Sequence, residues 1–156
     1  MSRKLTEKPV AIASDHRGVA LKRRLSGWLG AHGYASTDCG VDDEAARVDA
    51  MDYALRIVTE IKEGRSDFAI GICGSGQMMA ITANRFPFIR AALLHTEAES
   101  APAREHGDAN ILVLGADTID GAAAEDILKT FLETAALGER YAARRARLAR
   151  LDISTT

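Results

Sequence analysis

Two kinds of apolar pattern alternate along the chain. Short apolar runs predict buried strands, and longer stretches with an apolar residue every three or four positions predict amphipathic helices. Strands are predicted at residues 9–13, 34–38, 68–72, 88–94 and 110–114. Helices are predicted at residues 19–32, 48–62, 96–107, 120/121–136 and about 139–151, with one more after Gly76. The last helix is rich in arginine and therefore basic.

Strands that alternate with helices indicate a parallel sheet with helices on both faces. Right-handed crossovers then predict an α/β fold of the doubly wound, Rossmann or flavodoxin-like kind, with five parallel strands in a single domain over residues 1–156. Ligands of such folds bind at the carboxyl ends of the strands. Four features are expected along that rim, namely the pair Asp15 and His16, the turn at Cys73, His95 and the turn at Gly115.

The composition is that of an ordinary globular protein, with 47% apolar residues, 27% charged residues and a net charge of −2. The slight negative charge and the scarcity of aromatic residues argue against nucleic acid as a partner. The apolar runs are too short to span a membrane. The first residues contain no long apolar segment, so no secretory signal is predicted. Two cysteines without CxxC spacing predict free thiols in a reducing cytoplasm and no zinc site.

Residues 67–85 read DFAIGICGSGQMMAITANR and hold the most informative pattern. A buried strand ends there in residues 73–76, which we name the Cys73 turn, and a helix follows. Glycines let a ligand approach the backbone, and a helix start offers N–H groups that suit an anion. Cys73 would serve as a base or a nucleophile beside the Ser75 hydroxyl, unless it is simply a buried cysteine. The spacing fits neither a Walker A loop nor GxGxxG, so a nucleotide site is poorly supported.

Two histidines occupy positions with a chemical and a structural interpretation. Asp15 and His16 follow the first strand and suit a sugar hydroxyl and a phosphate, or acid–base work. The alternative is a helix-capping aspartate beside an exposed histidine. His106 ends the fourth predicted helix and suits a general acid, or it complements the helix dipole.

The basic helix carries arginines at positions i, i+4 and i+7, which share one face. These are Arg140, Arg144 and Arg147. Guanidinium groups suit phosphate, although a solvated basic surface has the same pattern.

Taken together, these motifs resemble the family of type B ribose-5-phosphate isomerase and galactose-6-phosphate isomerase. The resemblance covers nearly all of the chain and rests on SDHRGxxLK, Val48-Asp49, GICGSGxxxxITANRxxxIRAALLH, REHGDANILVLGA, Arg140 and Arg144. It implies a sugar phosphate as substrate, isomerised by proton transfer between C1 and C2 through an enediolate. It further implies no metal and no organic cofactor, and a homodimer or homotetramer with the active site at the dimer interface.

The resemblance implies the reacting groups by position. Cys73 corresponds to the base that moves the proton. Ser75 and the amides from Gly74 to Gly76 correspond to the groups that stabilise the enediolate oxygen, which is the task that oriented N–H groups perform well. A second branch of the family has a glutamate base at the position of Met79, so in this chain the base is expected to be Cys73.

The resemblance also implies the residues that bind the sugar. Asp15 corresponds to a ligand of sugar hydroxyls, and His106 corresponds to the acid–base group that opens the sugar ring. His16, Arg140 and Arg144 correspond to phosphate ligands. The basic helix that carries both arginines is expected at the subunit interface.

The chain departs from the family pattern at four positions, each near the expected substrate. Ala50 replaces a tyrosine, Met78 a glycine, Gly107 an asparagine, and Asp117 an arginine that helps to bind phosphate. We expect the proton-transfer groups to be retained and substrate recognition to differ. The alternatives to a ribose 5-phosphate isomerase are a relative acting on a four- or six-carbon phosphosugar or a free sugar, and a non-catalytic sugar-binding subunit.

Overall fold

A computed structural model describes residues 4–152, so residues 1–3 and 153–156 of the predicted domain lie outside the described part. The strands are β1 (Val10–Ser14), β2 (Ser36–Asp38), β3 (Ala69–Cys73), β4 (Ala91–Leu93) and β5 (Ile111–Gly115). The helices are α1 (Val19–Ala31), α2 (Ala50–Lys62), α3 (Gln77–Ala83), α4 (Glu97–Glu105), α5 (Gly121–Glu133) and α6 (Glu139–Leu148). A 3₁₀ turn, His16–Gly18, precedes α1.

The five strands form one parallel sheet in the order β2-β1-β3-β5-β4. The chain runs from β1 outward to β2 and then crosses to β3 on the other side of β1. This reversal creates a topological switch point between β1 and β3, where doubly wound folds bind ligands. The predicted doubly wound α/β fold is confirmed.

Each face of the sheet carries its own apolar core. Leu25 of α1 and Phe131 of α5 belong to the core on one face, and Ile57 of α2 and Met79 of α3 belong to the core on the other. The central strands β1, β3 and β5 are buried along their whole length. Because both faces are covered, these strands are continuously apolar rather than alternating, as expected for a parallel sheet.

The predicted starts of one helix and of one strand were wrong, each for an identifiable reason. The helix expected from residue 48 begins at Ala50, because the Asp49 carboxylate accepts a hydrogen bond from the Met51 N–H at 2.9 Å and caps the helix there. The strand expected from residue 88 begins at Ala91. The Asn110 side-chain amide donates to the Phe88 carbonyl and accepts from the Arg90 N–H, so a side chain supplies two hydrogen bonds that a neighbouring strand would otherwise supply.

The basic helix α6 ends at Leu148, three residues earlier than predicted, and none of its residues is buried within this chain. Its start is fastened to the end of α4, where the Leu137 N–H donates to the Glu105 carbonyl at 2.9 Å. Arg145 of α6 strengthens this junction by donating to the carbonyls of Leu137 and His106. The helix is thus attached at its beginning and leaves its sides open.

Candidate active site

The loops that follow β1, β3 and β5 are joined by backbone hydrogen bonds at the carboxyl end of the sheet. The N–H of Asp15 donates to the Ile72 carbonyl at 3.1 Å. The N–H of Ala116 donates to the Cys73 carbonyl at 2.8 Å, and that of Asp117 donates to the Gly74 carbonyl at 3.0 Å. Three of the rim features predicted from the sequence therefore meet at the switch point.

Cys73 is the last residue of β3, and its thiol is almost fully buried. The Gly76 N–H donates to its sulfur at 3.1 Å, which orients the thiol. Gly76 has a φ of +77°, and a Cβ there would overlap the Leu93 side chain, so the turn requires glycine at this position. The turn therefore holds the sulfur by its own backbone.

Ser75 and Gly74 complete the Cys73 turn. The Ser75 hydroxyl is exposed and accepts from the Gln77 N–H at 3.3 Å, which leaves its own proton available to a ligand. Within residues 4–152 no acceptor bonds the N–H of Gly74 or of Ser75. The amide of Gly76 is engaged by the thiol, so the donors available to an oxyanion are those of Gly74 and Ser75.

Asp15 and His16 lie beside this turn, as predicted. The buried Asp15 carboxylate accepts from the Arg17 N–H at 3.0 Å and caps the 3₁₀ turn, so the capping interpretation is correct for one of its oxygens. The His16 Nδ1 atom accepts from the Val48 N–H at 3.3 Å. In the neutral ring this assigns the proton to Nε2, which becomes a donor towards a ligand.

Two of the departures from the family pattern lie near these residues. Ala50 begins α2, two residues after Val48, and presents only a methyl group there. Met78 of α3 is 45% exposed and adds a long apolar side chain after the Cys73 turn. Met79 is fully buried in the core, so the position of the alternative base contributes nothing to the rim.

An ion pair that the sequence did not predict lies over Gly74. Nη2 of Arg17 is 2.6 Å from Oδ2 of Asp117, and Nε of Arg17 is 3.3 Å from Oδ1. A Cβ on Gly74 would lie 2.8 Å from the Arg17 Nε and 2.9 Å from the Asp117 Oδ2, so the pair rests against this glycine. The hydrogen bond and the charge of Asp117 raise the pKa of the Arg17 guanidinium. The added acid at position 117 is therefore ion-paired.

His106, Arg140 and Arg144 form a second group, and they gather around Tyr141. The His106 and Tyr141 rings are stacked, with centroids 4.4 Å apart and planes 2° from parallel. Arg140 donates to the Tyr141 hydroxyl at 2.9 Å, and its guanidinium carbon lies 4.8 Å from the ring centroid. The guanidinium of Arg144 lies 5.6 Å from the same centroid. We name these four residues the Tyr141 cluster.

Tyr141 was not among the site residues predicted from the sequence. The available signal was an aromatic residue next to Arg140 in an otherwise basic helix. Arg147 lines a groove with His106 and Arg144, so the arginines predicted to share a face do share it in part. Gly107 follows His106, and a Cβ there would meet the Ala103 carbonyl at 2.9 Å, so the helix end has little room for the asparagine of the family pattern.

The Cys73 turn and the Tyr141 cluster lie at opposite ends of the sheet. Cys73 is level with Gly115, the last residue of β5, whereas His106 precedes Ile111, the first residue of β5. Four residue steps along a strand span about 13 Å. One chain therefore brings Asp15, His16 and the Cys73 turn together, but it does not bring the Tyr141 cluster to them.

Within the described part of the chain, no group of three or more histidine, cysteine or acidic side chains is arranged to hold a metal ion. Among residues 4–152, no helix has the length and apolar character that crossing a membrane requires. Both cysteines carry free thiols, with Cys39 half-buried and Cys73 buried.

Comparison with known proteins shows that a chain with this fold and site belongs to the sugar isomerases. Over residues 10–148 the chain matches the family model described as Ribose/Galactose Isomerase, and it belongs to that family. The chain is accordingly an enzyme of the aldose–ketose isomerase type.

Several solved structures and relatives are similar over 80% or more of this chain. The crystal structure of a ribose 5-phosphate isomerase of Thermotoga maritima has a TM-score of 0.89 and 38% identity, covering 94% of this chain and 100% of its own. A ribose 5-phosphate isomerase B of Anaplasma phagocytophilum has a TM-score of 0.87 and 40% identity, covering 94% and 99%. A 4-deoxy-4-sulfo-D-erythrose isomerase of a Clostridium species is 36% identical over 80% of this chain and 79% of its own.

Proposed function

We propose that this protein interconverts an aldose and a ketose phosphate, namely ribose 5-phosphate and ribulose 5-phosphate or a close analogue. The observation that supports this best is the Cys73 thiol at the switch point, oriented by the Gly76 N–H at 3.1 Å and flanked by the unbonded amides of Gly74 and Ser75. A base beside oriented donors is what enolisation next to a carbonyl requires.

The steps follow from these groups. Cys73, as the thiolate, removes the proton from C2 of the open-chain aldose. The electron pair of the broken C2–H bond forms the C1–C2 double bond, and a pair of the C1 carbonyl moves to O1. The amides of Gly74 and Ser75 and the Ser75 hydroxyl stabilise the negative charge on the enediolate. The thiol then returns a proton to C1 while the O2 proton passes to O1, which gives the ketose. Asp15 holds the sugar hydroxyls throughout.

A second copy of the chain completes the site in this proposal. His106 would open the sugar ring, and Arg140 and Arg144 would bind the phosphate, but all three lie at the far end of their own sheet. The open sides of α6 support such an assembly, and Leu148 is 53% exposed. A groove of about 610 Å³ beside α6 is lined in part by Phe86, Ile89 and Leu148, which suits an apolar contact between two copies.

The departures favour a four-carbon sugar as the second candidate substrate. Met78 brings a side chain to a position where the family pattern has glycine, which reduces the room beside the Cys73 turn. Ala50 at the same time lacks the ring and hydroxyl of the tyrosine that the family pattern has there. The names of similar proteins include sugars of five and of four carbons. One is a ribose 5-phosphate isomerase, and another is a 4-deoxy-4-sulfo-D-erythrose isomerase.

Deuterium incorporation in heavy water, followed by NMR, tests the function. The panel holds ribose 5-phosphate, erythrose 4-phosphate, allose 6-phosphate, galactose 6-phosphate and the free sugars. We expect label at C1 or C2 of one sugar phosphate, and a loss of about 10²–10⁴-fold in Cys73→Ala. Cys39→Ala is the matched control, because it removes the other free thiol without touching the Cys73 turn.

Two results would contradict the proposal. Undiminished labelling in Cys73→Ala would exclude Cys73 as the base. Binding of a sugar phosphate without label in any compound would instead indicate a sugar-binding subunit that has lost the reaction.

A further inference from the structure

The side chain of Arg17 is fixed at the rim of the site by contacts to two loops. The backbone N–H of Arg17 donates to the Asp15 carboxylate. Its guanidinium donates to the Asp117 carboxylate through Nη2 and Nε. Asp117 is itself fixed, because its N–H donates to the Gly74 carbonyl at 3.0 Å. The cationic group is thereby placed next to the Cys73 turn.

Fold stability does not account for this ion pair. The side chains of Arg17 and Asp117 are 57% and 45% exposed, and ion pairs of such exposure contribute little to folding. Holding a long side chain in one geometry has an entropic cost that solvent-exposed pairs barely offset. A guanidinium held against a glycine of the Cys73 turn is better explained by what it can bind.

Two hydrogen-bond donors face the same cavity. The cavity has a volume of about 330 Å³ and is lined by His16, Arg17, Ala20, Glu44 and Asp117. Nη1 of Arg17 has no acceptor within residues 4–152, and Nδ1 of His16 is used by Val48, which leaves Nε2 as a donor. The cavity also has two carboxylates in its lining. That of Asp117 is paired with Arg17, and that of Glu44 lies on an exposed loop.

We propose that Arg17 is a further substrate-binding residue, which binds the anionic end group of the sugar together with His16. Asp117 is then a positioning residue that holds the guanidinium in place. This inference rests on the proposed function and deepens it. The family pattern has an arginine after β5, at the position of Asp117. In this proposal Arg17, in the loop after β1, supplies the cation instead. The chemical class of the ligand is a sugar with a terminal phosphate or another oxyanion.

The test compares four variants with the wild-type full-length protein, using the sugar phosphate that the deuterium panel identifies. Arg17→Gln removes the charge and keeps a donor. Asp117→Asn releases the guanidinium. The double variant Arg17→Ala/Asp117→Arg moves the cation to the loop after β5. Arg24→Gln is the matched control, because Arg24 forms an ion pair of similar exposure with Glu125 at 2.7 Å.

We expect Arg17→Gln to raise KM, and the inhibition constant of inorganic phosphate, by about 10- to 100-fold, the range for a charged hydrogen bond. The kcat should stay within about threefold, because the proton-transfer groups are untouched. Asp117→Asn should give a smaller rise in both constants. The double variant should recover phosphate inhibition, and Arg24→Gln should match the wild type.

An unchanged KM and an unchanged inhibition constant in Arg17→Gln would overturn the inference. An equal loss in Arg24→Gln would also overturn it, because the effect would then be one of overall charge. Direct titration of inorganic phosphate by ³¹P NMR needs no turnover. A wild-type protein that binds phosphate through Arg17 without isomerising any sugar would contradict the proposed function but not the anion site.

Discussion

The imidazole of His106 lies flat against the phenol ring of Tyr141, with ring centroids 4.4 Å apart. The stack fixes the plane of the histidine that the proposed function assigns to ring opening. It also ties that histidine to Arg140, whose guanidinium donates to the hydroxyl of the same tyrosine. One aromatic residue thus positions both His106, to which the proposed function assigns ring opening, and Arg140, to which it assigns phosphate binding.

Loss of the Tyr141 ring should lower kcat only in reactions that begin from a cyclic sugar. We expect Tyr141→Ala to lower kcat/KM for ribose 5-phosphate about 10- to 100-fold, since a small misplacement of a catalytic group has that effect. Deuterium exchange into ribulose 5-phosphate, which has no ring form, should keep its kcat. Tyr141→Phe retains the stack and should lose only the Arg140 bond, seen as a higher KM. Equal losses of kcat for both sugars in Tyr141→Ala would exclude a role in ring opening.

Mixing two inactive variants tests whether the site is shared between copies. We expect Cys73→Ala and His106→Ala each to be inactive on ribose 5-phosphate and to recover activity after subunit exchange. Half of the randomly assorted dimers are mixed, and each has one intact site, so about a quarter of wild-type activity should return. A site built within one chain would give no recovery, because neither variant chain carries both groups.

The backbone of the Cys73 turn should not tolerate a side chain at position 76. Gly76→Ala forces a methyl group into the Leu93 side chain at a φ of +77°. We expect a loss of about 1–3 kcal/mol in the free energy of unfolding, measured by urea denaturation, together with loss of isomerase activity. Gly27→Ala in α1 is the control. Apart from its chain neighbours and the backbone of its own helix, no atom lies within 4 Å of the added methyl group. The substitution should therefore stabilise the helix by about 0.5–1 kcal/mol.

Asp67 should make the fold sensitive to acid. Its carboxylate accepts hydrogen bonds from Lys8 at 2.9 Å and from Thr6 at 2.7 Å. These hold the pKa of Asp67 below its ordinary value of 3.8, with the Lys8 bond as the largest cause. Because the folded pKa is the lower one, the stabilisation is present above the unfolded pKa and is lost as the pH falls through the folded value.

Urea unfolding from about pH 6 down to pH 3 measures this dependence. We expect the wild type to have a larger free energy of unfolding than Asp67→Asn. This difference should be constant near pH 6 and should shrink below about pH 4. Thr6→Val should give a smaller difference with the same sign. A difference in the free energy of unfolding that grows as the pH falls would contradict a lowered pKa of Asp67 in the folded protein.

Sequence patterns predicted the central strands to within about one residue at each end. Strands β1, β3 and β5 are buried on both faces, so their apolar runs are continuous and bounded by glycine or polar residues. The edge strands β2 and β4 are only three residues long, and neither contains a fully buried residue. Their composition therefore carries a weak signal, and their limits depend on contacts such as those of Asn110.

The candidate site was predictable where it depends on local sequence. The glycines of the Cys73 turn and the pair Asp15 and His16 follow strands directly, so the strand prediction places them. The ion pair of Arg17 with Asp117 joins residues 100 positions apart, and only the parallel pairing of β1, β3 and β5 brings them together. The stack of Tyr141 on His106 likewise depends on how α6 meets the end of α4.

The distance between the two ends of the sheet has a consequence for how activity would scale in the cell. Under the proposed function, a single copy would carry the base without a ring-opening acid at one end of the sheet, and that acid without the base at the other end. Newly made or highly diluted chains would then be inert towards cyclic sugar phosphates, however well folded they are. At low expression, flux through the reaction would rise with the square of the amount of protein, and it would become proportional only once assembly is complete.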